Sequence, residues 1–281
     1  MAAQKLRLAL IQFTVGSDKA ANLNKICSLV KQTCLDHKPN IVALPECCNS
    51  PFGHEYFNEY AESIVDGPSV KMFSSVAKEN KIFLVAGSVP EKGNDGKLFN
   101  TTTVFNPDGN HISTFRKVHL FDIDVKGKFS FQESKTLTAG DSLATFSAYG
   151  WKIGLGICYD IRFAEMAQLY SRAGCKLLIY PAAFSMATGP YHWEILTRGR
   201  ALDNQCYVAA VSPSRCLTAS FVAYGHSIVV NPWGEIVTKA DETDKTIVAD
   251  IDLNYLEEVR ETIPISKQKK TEVFEKFQKE I

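Results

Sequence analysis

The stretch that decides the fold is residues 151–158, "WKIGLGIC", because it has the two-residue period of a β-strand. Successive side chains of a strand point to opposite faces. The two isoleucines and the leucine therefore share one face, and the two glycines share the other with Cys158. A glycine inside a strand often marks a place where another group approaches the backbone. The stretch predicts a strand that ends in Cys158, with open space beside the thiol.

Strand-like and helix-like segments alternate along the rest of the chain. Further strands are predicted at 6–13, 40–45, 81–89, 98–105, 111–118, 176–181, 206–212 and 227–234. Apolar residues at helical spacing predict helices at 20–35, 68–79, 162–172 and 190–203. This alternation favours a layered α/β fold. Helices should cover the sheets, because the strands are too continuously apolar to leave one face in water.

The overall charge argues against a nucleic-acid or membrane partner. Lys plus Arg and Asp plus Glu both number 31, so the formal net charge is zero. No apolar run approaches the roughly 18 residues of a membrane-spanning helix.

The N-terminus is a poor secretory signal, since Lys5 and Arg7 interrupt a short apolar stretch. We expect a cytoplasmic protein. A mitochondrial fraction stays open because the first acidic residue is Asp18, and the glycosylation triplet at Asn100 means little without secretion.

The eight cysteines are expected to be reduced, given the chain length and the lack of a signal sequence. No Cys-x-x-Cys pair occurs, and Cys47 and Cys48 are adjacent rather than spaced as metal ligands. The sequence therefore favours neither a zinc site nor a thiol redox protein.

Three predicted strands end in a polar residue where an apolar one would continue the pattern: Glu46, Lys117 and Cys158. Polar groups at strand ends often build a site once the chain folds. A carboxylate can take the proton of a thiol as the sulfur attacks. A lysine ammonium can lower the pKa of the thiol and stabilise negative charge on a carbonyl oxygen. The set suits attack on a carbonyl or nitrile carbon.

Each of these residues also has an ordinary structural interpretation. A glutamate after a proline is usually solvated, and the lysine in "FRKVHL" could equally lie on the surface. A buried cysteine is more often a small apolar residue than a nucleophile. The spacing alone leaves both interpretations open.

Three blocks of sequence resemble the signature motifs of the nitrilase superfamily of carbon–nitrogen hydrolases. They are "LPE" at 44–46, "RKVHLF" at 116–121 and "GLGICYDIRFAE" at 154–165. Each contains one member of the Glu-Lys-Cys triad of that family, in the family's order. The resemblance covers nearly the whole chain. Details such as "FDIDV", "FQES" and "TGPYHWE" are most similar to the omega-amidase branch.

This resemblance implies a four-layer αββα sandwich, expected to form one domain over 1–281 with a peripheral C-terminal segment from about 253. It further implies a homodimer paired through the helical layers and no metal or organic cofactor. The expected partner is a small amide, such as alpha-ketoglutaramate or alpha-ketosuccinamate, hydrolysed through a cysteine thioester.

The resemblance also implies roles for individual residues. Glu46, Lys117 and Cys158 would form the triad. Glu133, in "FQES", falls on the position of an accessory glutamate, although a surface carboxylate remains the alternative. The backbone N–H of Tyr159 would be a second oxyanion donor beside Lys117.

The substrate-binding residues are less determined. Arg162 is a candidate clamp for a distal carboxylate, with a structural ion pair to Asp160 or Glu165 as the alternative. Tyr191 either lines the pocket or packs. Similar enzymes usually carry Tyr where this chain has Phe52, and Phe where it has Cys48, which bears on the substrate rather than on the triad.

Several alternatives remain open. The nearest rival is another amidase of the same superfamily, acting on deaminated glutathione or on an N-carbamoyl amine. An inactive scaffold is the rival outside the enzymes. His119 offers a weaker Cys–His dyad, and residues 119–134 are a candidate lid over the site.

Overall fold

A computed structural model describes residues 4–127 and 129–280. The strands are β1 Lys5–Gln12, β2 Ile41–Ala43, β3 Phe83–Val85, β4 Val89–Lys92, β5 Leu98–Phe105, β6 His111–Arg116, β7 Asp122–Val125, β8 Phe129–Gln132, β9 Thr145–Ala148, β10 Trp151–Leu155, β11 Leu177–Pro181, β12 Tyr207–Val211, β13 Ile228–Val230, β14 Ile236–Lys239 and β15 Lys245–Asp252. The α-helices are α1 Lys19–His37, α2 His54–Tyr60, α3 Pro68–Asn80, α4 Ala164–Arg172, α5 Gly189–Asn204, α6 Leu253–Thr262, α7 Ile265–Gln268 and α8 Thr271–Gln278.

Two large sheets form the centre of the molecule. The first runs β15-β1-β2-β3-β5-β4, with β6 also paired to β5. The second runs β14-β13-β12-β11-β10-β9. In both sheets the central strands are parallel and the outer ones antiparallel. Parallel strands need helical crossovers, and α1, α4 and α5 each lie between two such strands in the chain.

The alternation of side chains on β1 shows how the layers stack. Leu8 and Leu10 belong to the core between the two sheets, together with residues of β10 to β13. Ala9 and Ile11, on the opposite face, belong to a second core beneath α1 and α3. The helices α4 and α5 bury their apolar sides against the outer face of the second sheet. The four-layer αββα sandwich is therefore confirmed.

The glycine face of β10 is not open space, and that expectation was wrong. A Cβ atom on Gly154 would lie 2.8 Å from Cγ of Tyr170, and one on Gly156 would lie 2.4 Å from Cε1 of Tyr180. The two glycines are needed because buried tyrosine rings pack directly on the strand backbone. The space beside Cys158 comes from elsewhere.

The chain after β10 also differs from the prediction of one helix over 162–172. A 3₁₀ helix, Cys158–Arg162, comes first, and α4 begins only at Ala164. Cys158 itself has φ of +48°, a left-handed conformation that is uncommon for a residue other than glycine. The nucleophile candidate thus lies on a sharp strand-to-helix turn.

Two further segments lie around the sandwich. In the predicted lid 119–134, β7 and β8 form an antiparallel hairpin, while Lys128 lies outside the described residues. The C-terminal segment begins with α6, which buries Leu256 and Val259, whereas α8 exposes Phe274 and Phe277. Among the helices of the described residues, none has the length and apolarity to cross a membrane.

Candidate active site

Glu46, Lys117 and Cys158 converge between the two sheets. Glu46 follows β2, Lys117 follows β6, and Cys158 begins the 3₁₀ helix after β10. The side chains of Glu46 and Lys117 are completely buried, and Cys158 is 3% exposed. The first two residues come from one sheet and the third from the other, so packing of the sandwich assembles the site.

Two carboxylates hold the ammonium group of Lys117. Its Nζ lies 2.9 Å from Oε1 of Glu46 and 2.9 Å from both carboxylate oxygens of Glu133. Oε2 of Glu133 also accepts a hydrogen bond from the Phe121 N–H at 2.7 Å. Glu133 is fully buried. The alternative of a surface carboxylate at this position is therefore excluded.

The two oxygens of Glu46 have different surroundings. Oε1 accepts hydrogen bonds from Nζ of Lys117 at 2.9 Å and from Nδ2 of Asn100 at 2.8 Å. Oε2 is buried and has no hydrogen-bond partner. A buried, unpaired carboxylate oxygen is costly unless something else uses it.

Burial dominates the electrostatics of the cluster. It raises the pKa of Glu46 above its usual range, although Lys117 and the Cys158 thiol act in the opposite direction. For Lys117 burial favours the neutral amine, but Glu133 and Glu46 outweigh it and raise the pKa well above its usual value. The ammonium is therefore retained.

The thiol of Cys158 does not rest as a thiolate. Burial and the neighbouring Glu46 raise its pKa well above its usual value, and Lys117 offsets this only in part. Lys117 acts in the predicted direction and lowers the pKa of the thiol, but desolvation and the Glu46 carboxylate are stronger. A protonated thiol needs a base at the moment of attack, and Glu46 is the carboxylate beside it.

Asp160 fixes the turn that carries Cys158. Its fully buried carboxylate accepts from the N–H of Ile157 at 2.9 Å and from the N–H of His119 at 2.9 Å. It also pairs with Nδ1 of His119 at 2.7 Å. This carboxylate ties the segment after Lys117 to the segment of Cys158. The ring of His119 stacks on Phe163, with the centroids 3.5 Å apart.

Tyr159 follows Cys158 in the first turn of the 3₁₀ helix. Backbone N–H groups in the first turn of a helix lack partners inside the helix and point toward its N-terminal end. The Tyr159 N–H is thus a donor next to the sulfur-bearing residue. Its ring packs against Phe121 and Phe163.

A cavity of about 320 Å³ opens onto this cluster. Its wall contains Glu46 and also Ala183, whose carbonyl oxygen lies 3.7 Å from Sγ of Cys158. The lining residues are Val15, Gly16, Ser17, Glu46, Cys47, Ser50, Pro51, Phe52, Tyr56, Ala183, Pro213, Ser214, Cys216, Thr218, Ala219, Ser220, Phe221 and Ala223. Among these described residues there is no lysine or arginine. The wall combines aromatic rings with hydroxyl groups.

Of the three predicted substrate-binding residues, only Phe52 lies on this wall. Its ring packs on Phe221, with the centroids 4.5 Å apart, and lies 6.0 Å from Nζ of Lys117. Arg162 lies over the rings of Phe184 and Tyr159, and its Nη1 lies 3.1 Å from Nδ1 of His192.

Within the described residues Arg162 forms no ion pair with Asp160 or Glu165, so the ion-pair alternative is wrong, and its Nε is buried without a hydrogen-bond partner. The clamp for a distal carboxylate stays a prediction. Tyr191 is 67% exposed on α5 and is absent from the cavity wall.

Several residues of the site have little or no signal in the sequence. In the sequence, Asn100 belongs to a glycosylation triplet and Asp160 is a candidate partner of Arg162, and neither pattern predicts a place in the site. The loop 213–221 carries no motif. Ser50 is buried on the cavity wall with its hydroxyl unpaired, and none of the motifs quoted above contains it. A polar residue inside an apolar strand-like run, as in "LFNTTTVF", is the one hint that pointed toward Asn100. Within residues 4–127 and 129–280 no cluster of three or more His, Cys, Asp or Glu side chains could hold a metal ion.

The family model for carbon–nitrogen hydrolases matches residues 7–261. This chain belongs to the carbon–nitrogen hydrolase family. The predicted resemblance is confirmed, and the protein is a hydrolase that acts on amides.

Similar proteins of this family span nearly the whole chain. Omega-amidase NIT2 of Xenopus tropicalis is 56% identical over 270 residues, which cover 96% of this chain and 97% of that protein. The human omega-amidase NIT2 is 53% identical over 268 residues, covering 95% and 96%. Among solved structures, Saccharomyces cerevisiae Nit3, a member of branch 10 of the nitrilase superfamily, is 40% identical. Its TM-score is 0.89, with 96% of this chain and 98% of Nit3 covered.

Proposed function

We propose that this protein is an omega-amidase that hydrolyses the terminal amide of small dicarboxylate monoamides, such as alpha-ketoglutaramate and alpha-ketosuccinamate. The observation that carries the proposal is the buried cluster of Glu46, Lys117 and Cys158 beside a cavity. The omega-amidases of Xenopus tropicalis and human, at 56% and 53% identity over nearly the full length, support the substrate class.

The first step is attack by sulfur on the amide carbon. Cys158 loses its proton to Glu46 as the S–C bond forms, and the carbonyl electron pair moves onto oxygen. Lys117 and the N–H of Tyr159 stabilise the resulting oxyanion. Because the ammonium already lies between two carboxylates, it needs little reorganisation when the charge develops.

The second step releases ammonia. Protonated Glu46 gives its proton to the nitrogen as the C–N bond breaks, which leaves a thioester on Cys158. Glu46 then takes a proton from water as the water oxygen attacks the thioester. The C–S bond breaks, the acid departs, and protonated Glu46 returns its proton to the sulfur of Cys158, which restores the thiol. One carboxylate acts as base and as acid in each half of the reaction.

The wall of the cavity would contact the distal part of the substrate. The hydroxyls of Ser50, Thr218 and Ser220 are donors for a carboxylate or keto group, and Phe52 packs against the carbon chain. We place the substrate contacts on these residues rather than on Arg162 or Tyr191, which lie outside the wall.

A second candidate is an amidase for substrates without a distal carboxylate, including N-carbamoyl amines. The observation in its favour is that no lysine or arginine lies among the described lining residues. A carboxylate held only by hydroxyls gains less than one held by a guanidinium.

Ammonia release separates these candidates. Wild-type protein and Cys158→Ala are assayed with alpha-ketoglutaramate, deaminated glutathione and an N-carbamoyl amine at equal concentrations. We expect the highest kcat/KM with alpha-ketoglutaramate and a loss on the order of 10⁵-fold or more in Cys158→Ala, the scale for removing a nucleophile. Equal activity of the variant would refute the thioester route. A preference for a neutral substrate would replace the first candidate with the second.

We further propose a homodimer through the outer helices. Leu169, Ile195 and Leu202 are exposed on α4 and α5, and Trp233 lies beside the last two. Sedimentation equilibrium of the wild type should give twice the monomer mass. The Ile195→Glu variant should give the mass of a single monomer.

A further inference from the structure

Asn100 contacts both the proposed base and the proposed oxyanion donor. It lies in β5 and is 1% exposed. Its side-chain Nδ2 donates to Oε1 of Glu46 at 2.8 Å, and its backbone carbonyl accepts from the N–H of Lys117 at 2.9 Å. It does not line the cavity. Asn100 is therefore placed to act on Glu46 without touching the substrate.

The hydrogen bonds to Glu46 are all on one oxygen. Oε1 receives Nδ2 of Asn100 and Nζ of Lys117, both of which are donors that cannot accept a proton in return. Protonation of Oε1 would direct an O–H toward two donors. Oε2 is equally buried but accepts nothing, so a proton placed there breaks no existing bond.

We propose that Asn100 is a positioning residue that occupies Oε1 of Glu46 and so reserves Oε2 for the proton of Cys158. This inference rests on the proposed function, since it assigns the oxygen through which Glu46 acts. The S–H bond of Cys158 breaks as the O–H bond forms at Oε2. The same O–H bond later breaks when the proton passes to the departing nitrogen.

The charged and titratable groups that face Glu46 explain why a neutral donor is needed. Lys117 comes from the segment after β6, Glu133 from the turn after β8, Cys158 from the turn after β10, and Cys47 is the next residue in the chain. One ammonium already serves two carboxylates. The amide of Asn100 adds a donor on the β5 side and leaves the net charge of the cluster unchanged.

The test compares two substitutions of similar size, Asn100→Leu and Asn100→Asp. Leucine removes the donor. Aspartate replaces it with an acceptor that repels Oε1. A hydrogen bond to a charged group stabilises the carboxylate, so its loss should move the acid limb of the kcat/KM profile upward by about one to two pH units. We expect kcat at the optimum to fall about 10- to 100-fold, because the carboxylate is no longer held in place. KM should change little.

Thr102→Val is the matched control. Thr102 lies two residues along β5, is fully buried, and has a hydroxyl with no hydrogen-bond partner. This substitution has a similar size and the same strand location, and should leave the pH profile unchanged. Thermal melting of all three variants shows whether they fold.

The outcomes separate this inference from the proposed function. If either folded Asn100 variant keeps the wild-type acid limb and kcat while Glu46→Gln loses about 10²- to 10⁴-fold in kcat, the positioning role is wrong and the amidase mechanism stands. If Glu46→Gln itself keeps wild-type activity, the proposed function fails first. If leucine at position 100 prevents folding, the aspartate variant decides by the same pH profile, and iodoacetamide labelling of Cys158 against pH gives an independent measure.

Discussion

Arg116 and Lys117 are neighbours in the chain, but their side chains enter two different ion clusters. Arg116 donates from Nε and Nη2 to the two oxygens of Glu91, at 2.8 and 2.5 Å, and stacks over Phe99. Thr101 supplies a third hydrogen bond to Glu91 at 2.5 Å. Lys117 meets Glu46 and Glu133 in the interior. Both clusters contain a buried carboxylate and a cation.

The difference is in what remains unsatisfied. Both oxygens of Glu91 have donors, so that cluster is closed and can only hold β4, β5 and β6 together. Glu46 has one oxygen with two donors and one with none. The side chain of Arg116 is 40% exposed to solvent, whereas that of Lys117 is fully enclosed. A structural pair uses all its bonding capacity, whereas the candidate catalytic cluster keeps part of it free for the reaction.

The largest contrast is expected between Glu46→Gln and Glu91→Gln. Glutamine at 46 cannot take the thiol proton, so kcat should fall by about 10²- to 10⁴-fold, the usual contribution of a general base. Glutamine at 91 should leave kcat unchanged but lower the free energy of unfolding by about 1–3 kcal/mol, because a charge-assisted pair is lost. Steady-state kinetics and urea unfolding of both variants check this. If both lost activity equally, the contrast would be wrong.

Replacing the two cations, Lys117 and Arg116, should also affect activity and stability differently. Lys117→Met should lower kcat by about 10²- to 10³-fold through loss of an oxyanion donor. It should also destabilise the fold more than Arg116→Met does, because Glu46 and Glu133 would be left buried without a cation. In Arg116→Met, water can enter the space that the partly exposed arginine leaves beside Glu91. Ammonia release and thermal melting measure the two effects. Equal melting temperatures for the two variants would contradict the assigned burial difference.

The pH profile sharpens the role of Glu46. Its pKa is raised by burial, and in the proposed mechanism the active form is the carboxylate. kcat/KM should therefore increase as the pH rises through this raised pKa. The midpoint of the acid limb of the kcat/KM profile should lie above the pKa of an ordinary glutamate.

The contribution of Glu46 to the free energy of unfolding should change with pH in the opposite direction to the rate. A group whose pKa is raised in the folded state contributes stability below its unfolded pKa, and this is lost as pH rises through the folded value. Urea unfolding of the wild type and of Glu46→Gln over a range of pH measures this contribution. The free energy of unfolding of the wild type should decrease with rising pH relative to that of Glu46→Gln. An acid limb at or below the usual glutamate pKa would contradict the assignment.

The smallest effect is expected at the wall. Phe52→Tyr adds a hydroxyl beside hydroxyl-rich residues and should change KM for alpha-ketoglutaramate by less than about tenfold, within the energy of one hydrogen bond. Leaving kcat unchanged would place Phe52 in binding only. A large loss of kcat would instead show that the ring positions Lys117, which lies 6.0 Å away.

Much of this arrangement was readable in the sequence, for reasons that differ by residue. β5 was predicted with its observed bounds, since "LFNTTTVF" is bounded by charged and turn residues. β15 was missed, although "KTIVADID" alternates, because its charged residues resemble a loop. The three triad positions followed from strand ends and motif resemblance.

Other parts of the site depend on contacts between distant segments. The bond of Asn100 to Glu46 joins residues far apart in the chain and has no local pattern. The glycine face of β10 differs from the predicted open space because the rings that fill it come from α4 and β11. Asp160 and Ser50 also acquire their roles only through folding. Periodicity reports which face a residue lies on, but not which neighbour it meets.

The wall of the cavity is built largely by loop residues outside the two sheets, such as Thr218, Ser220 and Phe221. The proposed reacting groups instead lie at the ends of sheet strands, where the tightly packed interior tolerates few exchanges. Evolution and protein engineers can therefore rewrite this loop to retarget the enzyme while the bond-breaking chemistry is inherited intact.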